Sequence, residues 1–199
     1  YLGSVIANGG GETTLTPGDI LDGGVGTDIL NVSISGTATA AVTTSAFTTS
    51  NIETLRITNF ETSTFVNTID TALMSGVTSI ELNSSGSDGD TTVTQVSGIV
   101  PVAMKNGDQN LTITYASKVL DATTDTQKLT LSSQSGGTFT LSDATSGVGE
   151  TLDITSSGSS NTLTLAAANK HAKVTIAGDK KLTLNVTDTN NKIKTIDAS

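Results

Sequence analysis

Ser50-Asn-Ile-Glu-Thr-Leu-Arg-Ile57 returns, with one insertion, as Ser146-Gly-Val-Gly-Glu-Thr-Leu-Asp-Ile154, and Ser75-Gly-Val-Thr-Ser-Ile-Glu-Leu82 is a weaker third copy. A second family of echoes pairs Asn106-Gly-Asp-Gln-Asn-Leu-Thr-Ile-Thr114 with Ala177-Gly-Asp-Lys-Lys-Leu-Thr-Leu-Asn185. In both families a polar turn delivers the chain to a short segment in which apolar residues alternate with polar ones. Successive side chains of a strand point to opposite faces, so each segment buries one face and wets the other.

Segments of this kind run along the whole sequence, at 29–34, 54–58, 79–83, 110–114, 128–132, 138–142, 151–155, 162–166, 173–177, 181–186 and 192–196. From Leu129 onward the leading apolar residues are Leu129, Phe139, Leu152, Leu163, Val174, Leu182 and Ile193, spaced by 10, 13, 11, 11, 8 and 11 positions. Such regularity fits a solenoid or a sandwich. Recurring echoes, and the scarcity of the Trp and Tyr that anchor sandwich cores, favour the solenoid. The expected fold is therefore all-β, a parallel β-helix of short Thr-rich strands, with an immunoglobulin-like β-sandwich as the alternative. With two strands per turn, a turn takes about 20 to 25 residues and advances about 4.8 Å, giving a rod of roughly 40 Å. Thr at outward positions is expected to stack in cross-strand ladders. Helix is expected only as single turns at 71–74 and 166–170.

Composition agrees with strands and limits function. Nearly a third of the 199 residues are Thr or Ser, aromatics are 3%, and Cys and Trp are absent. Without Cys there is no disulfide framework, thiol nucleophile or thiolate metal site. The net charge is −9, and all of it lies in residues 1–100, where Arg56 is the single base. Phosphate backbones and anionic membranes bind clustered Lys and Arg, so nucleic acid is not expected as a partner, and no apolar run is long enough for a transmembrane segment. Divalent cations suit the acidic half better. Residues 1–199 read as one β-strand-repeat region, with any sub-division near 101–110. The start at Tyr1 and the end inside another strand-like segment lead us to expect a fragment of a longer protein.

The sharpest motif is Gly23-Gly-Val-Gly-Thr-Asp-Ile-Leu-Asn31, which fits the calcium-binding nonapeptide G-G-x-G-x-D-x-U-x at every fixed position. Glycines turn backbone carbonyls inward, Asp28 supplies a hard oxygen, and Leu30 points into the core. The same residues also suit a tight Gly-Gly turn with Asp22 and Asp28 exposed. Asp88 and Asp90 flank a glycine in a second acidic turn, and Asp121 with Asp125, then Asp108 and Asp179, are weaker candidates for Ca²⁺. An Asx-rich turn bonding its own backbone is the alternative for each. His171, between Lys170 and Lys173, reads as a solvated side chain. No distinctive catalytic serine motif is present, so no enzyme activity is expected.

Leu21 to Val32, the Ser50–Ile57 stretch and the many Thr-rich strands together resemble the calcium-binding surface-layer (S-layer) and RTX-like β-strand-repeat proteins that Gram-negative bacteria secrete by the type I route. That resemblance implies a right-handed parallel β-helix, Ca²⁺ at turns, and self-assembly into a two-dimensional cell-surface lattice on lipopolysaccharide or another envelope glycan. Asp22, Gly24, Gly26 and Asp28 match the family's calcium turn position by position, although the nonapeptide occurs here once and not in tandem. The expected function is structural, in a secreted surface layer whose partners are copies of itself. The alternative is a stalk or passenger segment of a large secreted adhesin.

Overall fold

The computed structural model describes residues 2–6 (backbone only), 13–36, 41–44, 47–62, 64–83, 89–144, 149–166, 169, 171–187 and 192–198. The strands are β1 Leu2–Ile6, β2 Ile20–Asp22, β3 Ile29–Ser35, β4 Val42–Thr43, β5 Thr48–Ser50, β6 Thr54–Asn59, β7 Val66–Asp70, β8 Ser79–Asn83 and β9 Asp90–Val96. They continue as β10 Val102–Lys105, β11 Leu111–Tyr115, β12 Thr126–Ser132, β13 Thr138–Asp143, β14 Thr151–Ser157, β15 Asn161–Leu165, β16 Lys173–Gly178, β17 Leu182–Val186 and β18 Thr195–Ala198.

The chain winds as a parallel β-solenoid. Strands alternate between a nine-stranded sheet, β1-β3-β6-β8-β10-β12-β14-β16-β18, and a seven-stranded sheet, β17-β15-β13-β11-β9-β7-β4. A short third face is made by β2 and β5 and extended by a bridge from Thr49 to Met74. Every strand pairing among the described residues is parallel, which excludes the antiparallel sandwich. In the nine-stranded sheet Leu30, Leu55, Ile80, Val102, Leu129, Ile154 and Ile176 are successive partners, 25, 25, 22, 27, 25 and 22 residues apart. The two families of sequence echoes separate cleanly: the first forms β6, β8 and β14 of one sheet, the second β11 and β17 of the other.

Like stacks on like because parallel, in-register pairing places equivalent residues one rung apart. Leu30, Leu55, Ile80, Val102, Leu129 and Ile154 form one inward column, and Val32, Ile57, Leu82, Met104 and Leu131 the next, all buried. The opposing sheet contributes Ile69, Val93, Ile113 and Leu141. Each fully buried side chain of this size contributes about 1.5–3 kcal/mol from water exclusion. Outward, Thr43, Thr68, Thr92, Thr112 and Thr140 stack in register as the expected ladder.

Polar side chains also enter the interior, and several of them bond to a neighbouring rung. Asn161, 1% exposed, accepts from the Gln134 backbone N–H at 2.7 Å and donates to Ser156 Oγ, Ser157 O and Ser159 O at 2.8–3.0 Å. Asn59 donates to Gly89 O and Thr91 Oγ1, while Asn67 reaches Glu61 at 3.5 Å. These buried polar residues explain why β7 and β9, with Asn67 and Thr91 facing inward, escape an apolar–polar reading. In β10 the outward Ala103 breaks the alternation. The last strand lies at Thr195–Ala198, later than the 192–196 segment.

No helix occurs among the described residues. Met74 N–H donates to Thr71 O, closing one isolated turn at 71–74; of the other expected turn, at 166–170, the described residues show Asn169 N–H donating to Ala166 O. Sheet pairing continues at Val102–Lys105, where β10 bonds to both β8 and β12.

Ile113 is fully buried and its neighbour Thr112 faces outward. Chemical denaturation should therefore find Ile113→Ala destabilised by about 2–5 kcal/mol and Thr112→Ala by less than about 1 kcal/mol. Equal losses at both positions would contradict the inward–outward assignment.

Candidate functional site: the Gly23–Asp28 corner and its echoes

The nonapeptide forms the corner between the short third face and the nine-stranded sheet, joining β2 to β3. Its backbone packs directly on the next rung: Gly23 N–H donates to Ser50 O at 2.9 Å, and a Cβ at Gly23 would lie 1.8 Å from Asn51 O. Only glycine fits there. Gly24 and Gly26 have φ of 81° and 125°, so the loop turns through conformations that other residues rarely adopt. Leu30 is buried, as the motif predicts.

Asp22 closes this turn. Its Oδ1 accepts from Asn51 Nδ2 at 2.9 Å and from the Gly24 N–H at 3.0 Å, and these bonds hold its carboxyl below the usual carboxylate value. Asp28 lies across the turn, with its Oδ2 3.9 Å from where a Gly26 Cβ would sit. Its backbone N–H donates to Glu53 Oε2 at 2.7 Å, and its carbonyl accepts from Glu53 N and Thr54 N. Glu53 is the acid that motif reasoning missed. It comes from the next rung, 25 residues further along the chain.

The donors are all oxygen, which suits a hard cation. Among the described residues, however, no three His, Cys, Asp or Glu side chains stand close enough together to hold a metal ion. The turn as folded is held by hydrogen bonds, with Asp22 as its lock.

The remaining sequence candidates are dispersed. Asp88 lies outside the described residues. Asp90 accepts from Asn110 Nδ2 at 2.8 Å, and Asn110 Oδ1 in turn accepts from Thr138 N–H, forming a polar column along the seven-stranded sheet. Asp108 sits against Gly136, and Asp179 pairs with Lys180 at the surface. Asp125 repeats the Asp28 arrangement: its N–H donates to Glu150 Oε2 at 2.8 Å, again from one rung on. On the outer face of the nine-stranded sheet Glu81 is bound by Arg56 at 2.8 Å and Lys105 at 2.7 Å. Burial works to raise the Glu81 carboxyl, but the two cations hold it below the ordinary value.

His171 is not solvated, contrary to the sequence reading. It is fully buried, with Nδ1 2.6 Å from Gly149 O and Nε2 without a hydrogen-bond partner. The imidazole packs against Gly149, a contact of which the lysines at 170 and 173 gave no hint. Burial pushes its pKa down, partly offset by the Gly149 carbonyl and by Glu150.

No protein-family model, curated protein or solved structure matches the chain.

Two predictions follow from this geometry. Gly23→Ala should lower the thermal midpoint markedly, because the rungs must separate to admit the methyl group; an unchanged midpoint would contradict the close packing on Asn51. Because the folded pKa of His171 lies below its unfolded value, its contribution is fully present above about pH 6.5 and is lost as pH falls through the folded value. Denaturation from about pH 7 to 5 should thus show a stability loss that His171→Gln removes. Identical slopes for both proteins would contradict it.

Proposed function

We propose that this chain is a structural segment of a secreted bacterial surface layer, a rigid rod that Ca²⁺ orders and that packs beside copies of itself on the cell surface. The observation that carries the reading is the unbroken stack of parallel rungs. Nine strands of one sheet, at about 4.8 Å per rung, make a rod of roughly 40 Å. Its two long faces differ in chemistry. The nine-stranded face carries Arg56, Glu81, Lys105, Lys128, Asp153 and Lys173, whereas the seven-stranded face presents mainly Thr hydroxyls and methyls. Regular faces of this kind suit repeated lateral contacts.

In this reading Asp22 and Asp28, with Glu53 from the next rung and the backbone around Gly24 and Gly26, hold Ca²⁺ at the corner. The ion neutralises part of the acidic half and lets neighbouring rods approach. The underlying support on the cell is lipopolysaccharide or another envelope glycan. The segment has no catalytic role. A rod of stacked rungs also suits the stalk of a large secreted adhesin, which holds a distant tip away from the cell.

Calcium titrated into chelator-stripped protein, followed by light scattering and negative-stain imaging, tests the proposal. Ordered sheets that appear with calcium and dissolve with chelator are the expected result. Monomers unchanged at millimolar calcium would count against lattice assembly and favour the stalk.

A further inference from the structure

The corner residue that precedes a strand of the nine-stranded sheet is an aspartate twice over. Asp28 precedes β3 and Asp125 precedes β12, and each donates its N–H to a glutamate one rung on, Glu53 or Glu150. The backbone pattern is shared as well: Thr54 N–H bonds to Asp28 O, and Thr151 N–H to Asp125 O. Asp125, unlike Asp28, has no glycine-rich turn to explain it.

Its surroundings are electrostatically incomplete. Asp125 is only 8% exposed, and its Oδ2 is buried without a hydrogen-bond partner. Glu150 brings a second carboxylate against the same corner. Burial raises the Asp125 carboxyl first, and the charges of Glu150 and then Asp121 push it further, against a backbone hydrogen bond from Ala122 that lowers it, so both acids lie within electrostatic reach of Asp125. The ion pairs formed by described residues, Arg56 and Lys105 with Glu81 and Lys180 with Asp179, leave this corner out. A buried carboxylate oxygen beside two further carboxylates calls for a positive charge.

We propose that Asp125 and Glu150 seat a hard divalent cation that ties two successive rungs together, with Asp121 closing from the exposed 121–124 loop. Two or three carboxylates, loop carbonyls and water in a flexible turn match Ca²⁺, which takes about six to eight oxygens, better than the rigid octahedral shell of Mg²⁺. The three side chains do not already converge at metal-binding distance, so the loop moves inward as the ion enters. This seat shares no residue with the Gly23–Asp28 corner and does not rest on lattice assembly.

The test is the thermal midpoint of the full chain, stripped with chelator, with and without millimolar Ca²⁺. In an Asp28→Asn background, which disables the Gly23–Asp28 corner, the protein should still gain several degrees with calcium, while adding Asp125→Asn or Glu150→Gln should remove that gain. Glu150→Gln keeps an acceptor for the Asp125 N–H, so a lost response reports on charge and not on a broken corner. Without calcium, Asp125→Asn should be at least as stable as the wild type, because it removes a charge that Glu150 and Asp121 oppose. Tb³⁺ locates the ion independently: Tyr115, whose hydroxyl donates to Gln127 two residues from Asp125, should sensitise emission that Ca²⁺ displaces and Asp125→Asn abolishes. An Asp28→Asn protein with no calcium response, or one that still responds after Asp125→Asn or Glu150→Gln is added, would overturn the proposal. Light scattering on the same samples reads assembly separately.

Discussion

Parallel pairing of each strand with the one a full rung away is the constraint on which the rest of the structure depends. A central strand in a stacked sheet must satisfy its backbone groups on both edges, and here the partners come from about 22 to 27 residues on either side. Once that register is set, every column follows from it. Apolar residues stack on apolar residues, Thr43 to Thr140 align on the outside, and Asp28 meets Glu53 as Asp125 meets Glu150. A slip of one residue would turn each inward side chain to water, so the core enforces the register that created it.

The same stacking lets the interior carry polar groups that a sandwich core rarely holds. Asn161 bonds simultaneously to its own turn and to the rung before it, and Gln127 bonds to Val100 O and Lys128 O while accepting from Tyr115. Such residues link rungs through directional bonds where aliphatic side chains give only volume. A partner is lacking at His171 Nε2 and at Asp125 Oδ2, so the interior is not satisfied throughout.

Much of this was legible in the residues because a solenoid writes its geometry as repetition. The echoes of Ser50–Ile57 and Asn106–Thr114 announced two kinds of strand, and the alternation of Leu129, Phe139, Leu152, Leu163, Val174 and Leu182 followed the chain from sheet to sheet. Strands with polar inward residues were hidden, because Asn67 and Thr91 look solvated until Glu61 and Asn59 are seen beside them. The turn of Gly23–Asp28 was readable as a shape, since glycine is required by close approach to Asn51. Glu53 and Glu150 were not readable as the partners of Asp28 and Asp125, because their role depends on a neighbour one rung away. His171 misled for the same reason: its flanking charges describe the surface, while its own direction is set by packing against Gly149.

The account stands on the one-rung register, and a disulfide tests it directly in a chain that has no cysteine of its own. Thr54 and Ser79 lie 25 residues apart in sequence, yet their hydroxyl oxygens are 2.9 Å apart on neighbouring strands. A Thr54→Cys, Ser79→Cys protein should close its disulfide under mild oxidation and remain folded, because adjacent paired positions meet the geometry that a disulfide needs. Thiols that stay free and fully alkylable in the folded protein would contradict the register, and with it the solenoid.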